Sequence, residues 1–134
     1  MRADHSLARK KRLTLAALAK EPLVDYGSTQ VPGLHAMVML AFEQAGLHPH
    51  VAQEATQVQT VVSLVQSGMG VALVPSVSAL HAPRDVVFKR IADLPAAVAI
   101  GIAMTSRVEG RSPAADRFWE LAIAAASRSG SRVR

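Results

Sequence analysis

The sequence predicts an α/β fold built on a parallel sheet, and three observations predict it. Strand-like and helix-like segments alternate between Pro22 and Pro75. Parallel neighbours need a crossover, and an intervening helix supplies it. The apolar runs, such as Val71-Ala72-Leu73-Val74, are short and bounded by Gly or Pro, as buried central strands are. The composition is 50% hydrophobic but only 4% aromatic and 19% charged, which suits a globular chain with an aliphatic core.

Each element follows from local pattern. Pro22-Leu23-Val24-Asp25-Tyr26 reads as a buried strand that ends at the turn-type cluster Gly27-Ser28-Thr29. After Pro32-Gly33, the residues Leu34, Val38, Ala41, Phe42 and Ala45 share one helical face, and Gly46 closes that helix. His50–Glu54 is strand-like. Thr56 then stands as cap of a helix with Val58, Val61, Val62 and Val65 on one face, ending at Gly68. Gly70–Pro75 reads as a central strand, and Ser76–Leu80 as a single helical turn. Val86–Ile91 and Ala97–Met104 read as two further strands. Ser112 caps a last helix that starts at Pro113 and carries Ala115, Phe118, Trp119, Ala122, Ile123 and Ala126.

Composition excludes several function classes. With no cysteine there are no disulfides, thiolate metal sites or cysteine nucleophiles. No apolar run approaches the ~20 residues that span a bilayer, and the basic start has no signal-type apolar h-region behind it, so no secretory signal is expected. The formal charge of +5 sits in the tails: residues 1–12 hold five Lys/Arg against Asp4, and residues 128–134 hold three arginines. Residues 13–127 carry seven basic and nine acidic residues, so the body has no phosphate-binding face. Lys10-Lys11-Arg12 is then a solvated edge. The expected compartment is the cytoplasm, with no membrane partner.

In sheets of this kind ligands bind beyond the carboxyl ends of the strands, where loops meet helix starts. Two loops there carry suitable groups, Gly27-Ser28-Thr29-Gln30 and Ala55-Thr56-Gln57. Free N–H groups at a helix start attract an anion, and hydroxyls and amides orient it. The plainer account is that Ser28 and Thr29 are turn residues and Thr56 a cap. Other motifs carry less. His48 and His50 are two apart, point to opposite faces if extended, and have no third ligand, so no metal is expected. Ser63 and Ser67 have no base beside them, and no catalytic constellation can be assembled. Gly68-Met69-Gly70 follows a helix and precedes a strand, the reverse of a dinucleotide fingerprint, so no cofactor is expected. Phe118 and Trp119 read as residues buried against the sheet or a partner chain.

Three stretches resemble the effector-binding domain of LysR-type transcription regulators: Glu54 to Pro75, His5-Ser6-Leu7-Ala8, and Leu15 to Val24. The first is similar to the family's capped helix, glycine-x-glycine turn and apolar strand ending in proline. In the second, Ser6 stands where proline is commoner. The likeness runs over residues 5–126. It implies a type 2 periplasmic-binding-protein-like fold, with the second subdomain complete and the first partial. The implied boundaries are a basic segment 1–12, effector subdomain II at 13–85, a crossover strand and partial subdomain I at 86–127, and a basic tail 128–134.

The resemblance further implies a sensor, not an enzyme, that binds a small organic acid or aromatic metabolite through Gly27, Ser28, Thr29, Gln30, Ala55, Thr56, Gln57 and Pro75. Its partners would be a second copy or another LysR-type subunit. The alternative is a dimerisation remnant that senses nothing. The family's winged helix-turn-helix, linker helix and opening half of subdomain I have no counterpart in these residues, so direct DNA contact is not expected. A natural truncation, a displaced start and an excised piece would all give such a sequence.

Overall fold

Leu23–Tyr26 forms β1, and all four of its side chains are buried. A strand buried on both faces belongs in the middle of a sheet, and β1 lies there. On one side it pairs in parallel with β2, Val51–Ala55. The register is Leu23↔Val51, Val24↔Gln53, Asp25↔Glu54 and Tyr26↔Ala55, with an irregularity between Leu23 and Val24. On the other side a parallel bridge joins Leu23 to Val71. The structure, a computed structural model, describes residues 1–100, 105, 110 and 112–129. The chain divides into two compact units, residues 1–100 and 101–134.

Before β1, a 3-10 turn at Ser6–Arg9 and the short helix α1, Leu15–Leu18, close one end of the core with Leu7, Leu15 and Leu18. Thr14 caps α1 through its hydroxyl, which accepts from the Ala17 N–H at 3.3 Å. Helix α2, Pro32–Gln44, buries Val38, Ala41 and Phe42, the face that the spacing predicts. Phe42 is fully buried, a gain of roughly 1.5–3 kcal/mol for one side chain. Helix α3, Val58–Gln66, buries Val61 and Val65. Both helices pack on β1, and α3 also packs on β2.

Gly70 fixes the passage from α3 back to the sheet. Its φ of 148° is a conformation that side chains disfavour, and a Cβ there would collide with the Pro22 carbonyl. Only glycine lets the two backbones approach this closely. The Val71 N–H then donates to Pro22 O at 2.9 Å and Val71 O accepts from Val24 N–H at 2.8 Å.

The structure differs from the sequence reading at several elements. Gly70–Pro75 makes one bridge rather than a strand, because Pro75 removes a donor that a longer ladder would need. Val86–Ile91 makes only isolated bridges, Val86 to Arg2 and Ile91 to Leu13. Its partners turn at once into the 3-10 turn and α1, which leaves no length for a ladder. Ala97–Ile100 carries no strand, and the rest of that expected strand lies outside the described residues. Ser76–His81 is a 3-10 turn where the sequence predicts one helical turn over Ser76–Leu80.

In the second unit, Pro113–Ser129 forms α4. Ser112 caps it as read, its hydroxyl accepting from the Ala115 N–H at 3.3 Å. Within the chain Phe118 is 66% exposed, so of the two expected burial modes, against the sheet or against a partner chain, the first is not seen. No described helix is long and apolar enough to cross a membrane.

Candidate functional site

Parallel pairing sends both strands into loops at the same edge. The Gly27 N–H donates to Ala55 O at 3.0 Å, which ties the end of β1 to the end of β2. Ser28–Gln30 then turns toward α2, and the Val31 N–H closes that turn on Gly27 O at 2.9 Å. Thr56 and Gln57 follow Ala55 directly and lead into α3. Ser28, Thr29, Gln30, Thr56 and Gln57 are all exposed, while Gly27 and Ala55 are buried beneath them. The fold thus joins the two loops read from sequence through one backbone bond. The parallel bridge at Val71 points the chain toward Pro75 in the same direction as β1.

Both helices at this edge start without a side-chain cap. Val31 holds the N-cap position of α2 and Gln57 that of α3, and neither makes a capping hydrogen bond. Thr56 is therefore not the cap that the sequence suggests; the chain enters α3 one residue later, and the Gln57 carbonyl takes the Val61 N–H at 3.0 Å. Uncapped helix starts leave N–H groups that bind water or an anion. A side chain at position 27 would have no room: Gln30 Oε1 occupies the space that a Cβ would fill, and Glu54 Oε2 lies 3.8 Å from that point.

Sequence reasoning missed a buried polar pair behind this loop. Asp25 is 1% exposed, and its Oδ2 lies 2.8 Å from His35 Nδ1 on the first turn of α2. Asp25 Oδ1 and the Tyr26 hydroxyl are buried with no hydrogen-bond partner among the described residues. Burial pushes the Asp25 carboxyl above the usual carboxylate range, aided by the charge of Glu54 and opposed by the Tyr26 backbone and His35. Burial, then the Asp25 charge, pushes the Tyr26 phenol up to about 12. The signal in the sequence was a lone acid inside an otherwise apolar strand, and its partner stands ten residues on.

The remaining motifs stay apart from this edge. His48 and His50 are exposed loop residues. Ser63 and Ser67 donate their hydroxyls to Gln59 O and Leu64 O of their own helix. Among the described residues no three His, Asp or Glu side chains converge as metal ligands. An open depression of about 400 Å³ is lined by Ser6, Lys10, Thr14, Ala17, Lys20 and Glu21 among others. None of these lies at the strand ends.

An α/β unit with polar loops and open helix starts beyond a parallel strand pair is a ligand-binding architecture. The LysR substrate binding domain matches residues 1–127, and the chain belongs to that family. Among its relatives, the HTH-type transcriptional regulator TtuA of Agrobacterium vitis is 39% identical over 84 residues, 63% of this chain and 28% of that protein. The regulator AlsR of Bacillus subtilis (strain 168) is 33% identical over 88 residues, 66% of this chain and 29% of AlsR. The solved BenM effector binding domain with its effector benzoate superposes with a TM-score of 0.63 at 28% identity, covering 69% of this chain and 43% of that one. The fold is accordingly of the periplasmic-binding-protein-like kind. The chain spans less than half the length of these relatives.

Proposed function

We propose that this chain is the ligand-sensing module of a LysR-type regulator and holds a small organic acid or aromatic metabolite at the edge beyond β1 and β2. In this reading the ligand's anionic group meets the open starts of α2 and α3. Ser28, Thr29, Gln30, Thr56 and Gln57 orient it, Gly27 and Ala55 floor the site, and Pro75 borders it. The observation that carries the reading is the Gly27–Ala55 bond, which seats both polar loops and both uncapped helix starts at one edge. The benzoate bound by the similar BenM domain supports the ligand class.

Residues 13–85 would form subdomain II, and 86–127 would lead back toward subdomain I. The module acts in the cytoplasm and performs no catalysis. It leaves DNA contact to other parts of a regulator, Lys10, Lys11 and Arg12 being exposed edge residues. Exposed Phe118 and Leu121 on α4 support association with a second regulator subunit. Sedimentation checks that part; a monomer at all concentrations contradicts it.

Calorimetric titration of the folded chain with benzoate and a panel of small aliphatic and aromatic carboxylates tests the sensing role. At least one should bind, and Ser28→Ala and Thr56→Ala should each weaken it. Silence across the panel on a folded sample contradicts the reading and leaves the dimerising alternative.

A further inference from the structure

We propose that Asp25 and His35 form a clasp that sets the conformation of the Gly27–Val31 loop, and that both are positioning residues for ligand binding at that loop. What the loop does rests on the reading above; the clasp itself rests on geometry.

The loop needs such a device. Between the end of β1 and the start of α2 the chain reverses through exposed Ser28, Thr29 and Gln30. Pro32 at the first position of α2 has no N–H to give, and Val31 supplies no side-chain cap. Among the described residues, the backbone bonds that hold the turn are Gly27 N–H to Ala55 O and Val31 N–H to Gly27 O. The Asp25–His35 bond spans it from below. Asp25 is the last-but-one residue of β1, and His35 is the fourth of α2. At 2.8 Å the bond joins the two elements on either side of the turn.

The pair is also placed to act on the site rather than on the core. His35 keeps 26% of its side chain exposed whereas Asp25 keeps 1%, so the clasp has a buried jaw on the sheet and an outer, partly exposed jaw on the first turn of α2. Glu54, the other charged group facing Asp25, comes from β2 in register with it. A hydrophobic contact would hold α2 to β1 at many angles. A directed bond to a buried carboxyl fixes one.

Amide hydrogen exchange read by NMR tests the clasp without a ligand. In His35→Leu the Val31 amide should exchange about tenfold faster, while the Val24 amide, bonded to Val71 O, keeps its rate. His35→Asn, whose amide nitrogen stands near the place of Nδ1, should restore the wild-type rate. Where His35→Leu fails to fold, Asp25→Val replaces the buried acid with a strand-forming apolar residue, and the same acceleration is expected.

Val31 exchange within about twofold of wild type in the clasp-breaking variant overturns the proposal, as does equal acceleration of Val24. Titration with benzoate completes the test. Weaker benzoate binding in His35→Leu, recovered in His35→Asn, supports the positioning role; unchanged affinity with an accelerated loop overturns it. A wild type that binds no carboxylate while its loop still loosens in His35→Leu supports the clasp and counts against the reading of the loop.

Discussion

β1 and β2 are paired in parallel along their length, yet they behave as opposites. β1 buries all four side chains, including an acid, whereas β2 exposes Ala52, Gln53 and Glu54 and buries only Ala55. The ladder is common to both, so it cannot be the cause. Position is: β1 has β2 on one edge and Val71 on the other, with α2 and α3 packed on it. Backbone pairing thus places the loops, and burial around β1 holds in place the strand from which the first of them leaves. The central strand is where substitutions should cost stability, and the lip beyond it is where they should cost binding.

The largest expected effect lies in the packing around β1. Phe42→Ala empties a fully buried site on α2 and should cost about 3–5 kcal/mol by urea denaturation. Next comes Gly70→Ala, which sets a Cβ against the Pro22 carbonyl at a φ of 148°. It should cost about 3 kcal/mol and selectively expose the Val71 amide to exchange. A loss as small as that of a surface change would show that the Val71 bridge is dispensable, and that β1 does not need both neighbours.

Asp25→Asn sharpens the comparison through pH. The folded-state pKa of Asp25 is raised above its ordinary value of 3.8, so the folded chain binds the proton more tightly than the unfolded one. Its contribution to stability is therefore fully present below the ordinary carboxylate value and is lost as pH rises through the raised one. The stability of wild type relative to Asp25→Asn should improve on acidification across that window, read by urea denaturation at stepped pH. A flat difference would mean that β1 tolerates the charge as readily as the exposed strand tolerates Glu54.

The smallest expected effect is at the lip. Thr56→Ala should change stability by less than about 0.5 kcal/mol, because Thr56 makes no cap bond, whereas loss of a true cap costs about 1 kcal/mol.

Much of this fold was legible in the sequence, for reasons that are local. The face of α2, its stop at Gly46 and the Ser112 cap of α4 all follow from spacing and from single-residue chemistry within a few positions. The loops at the strand ends were legible because a strand–helix alternation fixes which ends share an edge. What was not legible is tertiary. No periodicity announces that Asp25 reaches His35, or that Leu15 N–H finds Asp93 Oδ1 at 2.9 Å across most of the unit. The extent of pairing was also hidden. Val71 and Val86 look like strand residues, but how many bonds form depends on the length of the partner and on Pro75, not on their own sequence.

A sensing role for this module requires that ligand bind at the edge joined by Gly27 and Ala55. Backbone amide shifts mapped by NMR during titration with a carboxylate that binds test it most directly. The predicted result is that the largest changes fall on Ser28, Thr29, Thr56 and Gln57 and on the first turns of α2 and α3. Changes confined to the depression around Ser6, Lys10, Thr14 and Lys20, with those loops unmoved, would contradict it.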